Sequence, residues 1–124
     1  MRSFIISVVL LVAVAALIAA YIGFMRTYCE KLLTLSSSLP KEEENYKKGE
    51  ETLRLIESEW NEKKTLISYL MDYREVDRVS VALSDMKNAF YSGDFQQYTV
   101  YSAEFHHAIE RLYEISGVSA ENIF

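Results

Sequence analysis

Twenty-three consecutive residues, Ser3 to Met25, carry no charge, and most of them are branched or small apolar side chains. As an α-helix at about 1.5 Å per residue the run is roughly 34 Å long, enough to cross a hydrocarbon core of about 30 Å. The spacing predicts a transmembrane helix over 1–25, and a helical domain over 26–124. The bilayer is therefore the first partner the sequence names.

A cleaved secretory signal is the main rival, because Arg2 precedes the apolar run and Ala13-Val14-Ala15 has small-x-small spacing. Signals carry an apolar stretch of about 7–15 residues before polar mature sequence. Here the run continues through Leu17, Ile18, Tyr21, Ile22 and Phe24, which favours retention as an anchor. Cys29 follows Arg26, Thr27 and Tyr28, a context that does not suit lipidation.

Past Met25 there are twelve Lys and Arg, thirteen less Arg2, against all eighteen Asp and Glu, a net charge near −6. An acidic domain of this size is a poor fit to nucleic acid or to a polybasic lipid-binding surface. A single cysteine allows no internal disulfide, so any bridge joins two chains and a homodimer through Cys29 is the arrangement to test.

Four Gly and one Pro leave little material for sheet turns, and apolar residues recur at steps of three and four. Met25, Tyr28, Leu32, Leu35 and Leu39 continue the phase of the apolar run without a breaker. The anchor is thus expected to enter the domain as one helix, ending at Ser36-Ser37-Ser38-Leu39-Pro40.

Pro40 suits the first turn of a new helix, and Glu42, Glu43 and Glu44 suit its positive end, although a start nearer Asn45 fits almost as well. The second stripe is Tyr46, Gly49, Leu53, Ile56, Trp60, Lys63, Ile67 and Leu70, with Gly49 permitting a close approach and Lys63 snorkelling at the edge. Asp72 and Glu75 are spaced as a capping box for a third helix with stripe Val76, Val79, Leu83, Met86 and Phe90. Gly93 suits a left-handed cap, Asp94 opens a fourth helix, and its stripe is Phe95, Tyr98, Ser102, Phe105, Ile109 and Leu112, ending near Ser116-Gly117.

Four such helices predict an all-α fold, an N-terminal transmembrane helix continuing into an up-down-up-down four-helix bundle. A tetratricopeptide-like hairpin around Ser92-Gly93-Asp94 is the runner-up, but a solenoid needs about three repeats. The bundle sends the segment from Leu66 to Tyr73 and the C-terminal tail back toward the membrane, where aromatic residues concentrate. One tension follows: the first helix offers only roughly 21 Å outside the membrane, whereas a second helix starting at Pro40 is about 45 Å long.

Little in the sequence carries chemistry. Glu104-x-x-His107 is half of a di-iron helical motif, but the chain has two histidines, adjacent and about 100° apart on a helix, so no metal site is expected. Cys29 has no His in register, no Ser sits in a glycine-flanked elbow, and the glycines are isolated, which removes the common nucleophile and phosphate-loop patterns and leaves neither catalytic residue nor cofactor. Aromatics on stripe positions are expected in the core.

Glu59-Trp60-Asn61-Glu62-Lys63-Lys64, Asp72-Tyr73-Arg74-Glu75-Val76-Asp77 and the closing Ser119-Ala120-Glu121-Asn122-Ile123-Phe124 resemble an uncharacterised family of small membrane-anchored bacterial proteins, mainly of Bacillota, known only as a domain of unknown function. Its members share an N-terminal span, a Trp in the second helix, an acidic Asp-His-x-Glu-Ile segment and a Ser-Leu-Glu-Asn-Ile-Phe ending. Tyr73 stands where that pattern often has His, and Ala120 where it has Leu. A role carried by that His would be missing here, and the resemblance implies no activity.

The expected function is a non-enzymatic interaction or scaffold module in the cell envelope that binds another membrane or envelope protein. Its candidate contact residues are Trp60, Tyr69, Tyr73, Asn122, Ile123 and Phe124. A ligand-sensing bundle that signals through a membrane partner is the alternative. The flanking charges, Arg2 against Arg26, Lys31 and Lys41, are nearly balanced; the short amino end and the family layout favour a cytoplasmic N-terminus with the domain outside.

Overall fold

The computed structural model describes the backbone of residues 1–123 and the side chains of residues 1–116. Four α-helices follow in order, α1 Arg2–Ser37, α2 Glu50–Leu70, α3 Tyr73–Ser92 and α4 Phe95–Ile123, with a 3₁₀ turn at Tyr46–Gly49 before α2. No strand occurs among the described residues.

Helix α1 is one unbroken element of 36 residues, as its continuous phase requires. Among the described residues it is the one helix long and apolar enough to cross a membrane, and none of its apolar window is buried inside the protein. Its C-terminal part buries Met25, Tyr28, Cys29, Leu32 and Ser36, spaced three, four and seven apart. Tyr21 and Phe24 pack against the edge of the same core, so the apolar run overlaps the domain from Tyr21 to Met25.

The helices surround a single cluster in which α1 meets α2, α2 meets α3, α3 meets α4, and α4 returns to α1. Its largest fully buried side chains include Trp60, Tyr98, Phe90, Phe105, Leu32, Ile56 and Met86. Polar latches cross each seam: Tyr28 donates to the Glu59 carbonyl at 2.9 Å, Lys87 pairs with Glu57 at 2.8 Å, and Arg111 pairs with Glu75 at 2.9 Å. On the last seam Arg26 lies 5.6 Å from the centre of the Tyr113 ring.

Helix α2 begins at Glu50, later than either sequence-based start. The chain leaves α1 at Ser38, turns, and folds back so that Gly49 lies against the Pro40 ring; a Cβ there would stand 2.7 Å from Pro40 Cδ. Pro40 is thus a packing partner for the start of α2 and not its first residue. At 21 residues α2 is about 31 Å long, which narrows the length conflict, since the part of α1 that packs on the domain, Tyr21 to Ser37, is about 25 Å.

Asp72 caps α3 by accepting from the Arg74 backbone N–H at 2.9 Å, but Glu75 turns to Arg78 and Arg111 and leaves the reciprocal half of the capping box unmade. Gly93 takes the left-handed conformation, φ 79°, and Asp94 accepts from the Gln97 N–H at 3.1 Å. Lys47 donates to the Phe90 carbonyl near the negative end of α3, locking the 3₁₀ turn onto the α3–α4 corner. Helix α4 passes Ser116-Gly117 and continues to Ile123.

Candidate functional site

The two regions that could meet another molecule lie at opposite ends of the domain. The first is the α2–α3 turn. Leu66, Tyr69, Leu70 and Tyr73 are exposed there, Tyr69 at 83% and Tyr73 at 70% of their full surface. Tyr21, within the apolar run, donates its phenol hydrogen to the Leu70 carbonyl at 3.4 Å. The turn therefore stands beside the last residues of the run, with Leu70 exposed instead of ending the α2 stripe.

That contact also measures what is left of the apolar run outside the domain. The eighteen residues from Ser3 to Ala20 rise about 27 Å, slightly less than a hydrocarbon core of about 30 Å. Tyr69, Leu70 and Tyr73 thus form an exposed apolar and aromatic group beside the end of that run.

Of the other contact residues expected from sequence, Trp60 is 1% exposed and gives its indole N–H to Ser80 Oγ at 2.9 Å. It belongs to the core and is no free surface. Asn122, Ile123 and Phe124 fall outside the described side chains.

Cys29 is fully buried, and burial first, then the neighbouring Glu30 carboxylate, pushes its thiol up to about 12. A bridge to a second chain would require this sulfur to leave the core. The same burial keeps the sulfur from acting as a nucleophile, because the reactive form is the thiolate. Tyr28 is shifted upward too, by burial and then by Glu59.

The second region is a cavity of about 350 Å³ at the other end, between the last turn of α1 and the first half of α4. Ser36, Ser37, Pro40 and Lys41 form one wall, and Tyr98, Ser102 and His106, successive residues on one face of α4, form the other. Ser36 Oγ and His106 Nδ1 lie 3.2 Å apart, and His106 Nε2 is 3.2 Å from Glu110 Oε1. His107 Nδ1 also faces Glu110, at 3.6 Å, so both imidazoles gather on Glu110 and not on Glu104. Among the described residues no three His, Cys, Asp or Glu side chains cluster as a metal site would require.

Tyr98 is 2% exposed, packed among Tyr46, Phe90 and Phe95 with ring centres 5.3, 5.6 and 6.5 Å away. Its hydroxyl is buried and has no hydrogen-bond partner. Burial raises its pKa, with Tyr46 adding to the shift. Sequence reasoning placed Tyr98 and Ser102 on the α4 stripe but missed the cavity, whose other wall is about seventy residues away in sequence. The available signal was Ser36, a polar residue on the buried face of α1 beside Leu32.

A family profile described as domain of unknown function DUF4363 matches residues 21–123. The chain belongs to this family. The match to DUF4363 begins at Tyr21, the residue where α1 first packs against the core, and so takes in the whole helical domain. No curated protein and no solved structure matches the chain.

Proposed function

We propose that this DUF4363 chain is a membrane-anchored, non-enzymatic interaction module of the bacterial cell envelope. Its α1 crosses the bilayer and continues as the first helix of an up-down-up-down bundle seated against the membrane surface. The observation that carries this reading is the Tyr21–Leu70 hydrogen bond, which holds the exposed Tyr69 and Tyr73 next to an apolar helix segment with no protein around it. A helix from the core of a water-soluble protein would be covered along such a run. The resemblance of the Glu59–Lys64 and Ser119–Phe124 segments to proteins of Bacillota supports the bacterial setting.

The functional partner in this reading is another membrane or envelope protein, reached through the bundle faces or the C-terminal Asn122, Ile123 and Phe124, with the amino end in the cytoplasm. Cysteines placed at Tyr69 and at Thr99 in a Cys29→Ala chain test the seating in lipid vesicles. Lipid-soluble maleimide should label position 69 and impermeant maleimide position 99. Full aqueous labelling at both positions defeats the reading. A reporter joined after Phe124 fixes the orientation, and co-purification from detergent names the partner.

A second reading, a ligand-sensing bundle that signals through a membrane partner, is favoured by the cavity between α1 and α4.

A further inference from the structure

A third opening runs along the side of the domain, a groove of about 470 Å³ between α1 and α2. Gly23, Thr27 and Lys31 stand on its α1 wall, and Glu59, Glu62 and Lys63 on its α2 rim. It begins at Gly23, two residues beyond the Tyr21–Leu70 contact, and so lies next to the end of the apolar run. A Cβ built on Gly23 meets no side chain or neighbouring helix within 4 Å, so the small size of this residue serves no packing within the chain. Below the groove the same face of α1 continues as the exposed Ala20, Ala16 and Ala13, at steps of three and four. Nothing larger than a methyl group stands between this face and a second helix.

The rim charges decide which helix fits. The chain carries a net charge of −5, so two copies repel one another unless the surfaces that meet are locally complementary. On the α1 wall the only charged residue is Lys31, which is exposed and uses one carboxylate, Glu59, at 2.8 Å. On the α2 rim Glu62 is 67% exposed, and its sole ion-pair partner among the described residues is its neighbour Lys63 at 3.9 Å, beyond hydrogen-bond range. A lysine from outside therefore finds an open carboxylate on α2, and α1 itself carries that lysine.

Two copies anchored in one bilayer stand parallel, with equal positions at equal height. Lys31 of a second copy then comes level with Glu59 and roughly 4.5 Å above Glu62, three residues further down α2 and within reach of a lysine side chain. A two-fold axis repeats the contact in the other direction. We propose that a second copy of this chain occupies the groove, its α1 lying along Gly23 and Thr27 of the first, in a parallel dimer closed by Lys31 of each copy against Glu62 of the other. The charges, and not the small side chains, select a second copy over lipid or an unrelated helix. The dimer rests on the membrane-anchored reading and leaves Cys29 buried.

The test uses the full chain with Cys29→Ala in lipid vesicles, reading disulfide cross-links between single cysteines, with flotation of the same vesicles and helical circular dichroism for each variant. Thr27→Cys, on the groove wall, should cross-link to a dimer, and Val81→Cys, exposed on α3, should not. Gly23→Leu adds a side chain where the single chain has open space, so it should keep the fold and cut the Thr27→Cys cross-link about tenfold or more. Glu62→Lys and Lys31→Glu should each lower it about threefold or more, since the two-fold repeats every lost pair, and the charge-swapped double variant should restore it. Equal cross-linking at positions 27 and 81, a cross-link indifferent to Gly23→Leu, a double variant without rescue, or a monomer in vesicles that float each overturns the dimer while leaving the anchor standing. A chain that does not float with the vesicles defeats the anchored reading itself, and the dimer with it.

Discussion

Trp60 Nε1 donates to Ser80 Oγ at 2.9 Å, so the only tryptophan of the chain is tied from α2 to α3 inside the core. The ring supplies apolar burial and the hydrogen bond fixes its orientation.

Trp60→Ala should therefore lower unfolding stability by about 3–5 kcal/mol, the range for removing a large buried aromatic. Ser80→Ala should cost about 1–3 kcal/mol, because it leaves a buried indole N–H unpaired. Denaturant titration of the full chain in detergent, followed by helical circular dichroism, measures both. A Trp60→Ala loss under about 1 kcal/mol would mean the residue is not a core element.

Gly49→Ala combines two unfavourable effects. Gly49 is the N-cap of α2, where alanine is less favourable than glycine, and an alanine Cβ would meet Pro40 Cδ at 2.7 Å and Leu39 Cδ2 at 3.4 Å. Overpacking typically costs about 1–3 kcal/mol, so the variant should be less stable. Adding Pro40→Ala should return part of the loss, and a strictly additive double mutant would show that the two residues do not touch.

Leu32→Asp tests whether α1 is part of the bundle. Leu32 is fully buried, and an unpaired carboxylate there should cost several kcal/mol against a typical total of about 5–15. Thr34→Asp, on the exposed face of the same helix, should leave helicity and protease resistance nearly unchanged. Equal resistance in both variants would make α1 a mere tether.

Cys29 gives a pH signature. Its folded-state pKa, pushed up to about 12, lies above an unfolded value near 9, so the folded chain holds this proton more tightly. Stability from the buried thiol is complete below about pH 9 and declines as pH rises toward 12. Cys29→Ala should flatten that alkaline decline. Thiol reagents at neutral pH should modify Cys29 only after denaturant is added, and rapid labelling of the native chain would contradict its burial.

Much of the helical plan was legible because it depends on local chemistry. The stripes Val76 to Phe90 and Met25 to Leu32 have one apolar face each, Asp72 and Asp94 are short acceptors at helix starts, and Gly93 sits where φ must be positive. The start of α2 was not, since Pro40 and the three glutamates satisfy helix-start rules locally while the chain instead brings Tyr46 against Phe90 and Tyr98, ring centres 5.7 and 5.3 Å away. Tyr69 and Tyr73 could be placed beside the end of the apolar run from topology. Trp60 could not be told from a surface aromatic without knowing that Ser80 faces it, and the cavity depends on Ser36 meeting His106, a pairing no local pattern encodes.

The unbroken course of α1 gives the domain a lever. From Tyr21, held at Leu70, to Ser36, beside His106, the helix rises roughly 22 Å as one unbroken element. A tilt of about 5° around the lower contact displaces the upper end by about 2 Å, comparable to the helix shifts that carry allosteric signals. In the membrane-anchored reading proposed above, bilayer thickness, which biases helix tilt, is thereby geared to the width of an opening on the far side of the domain.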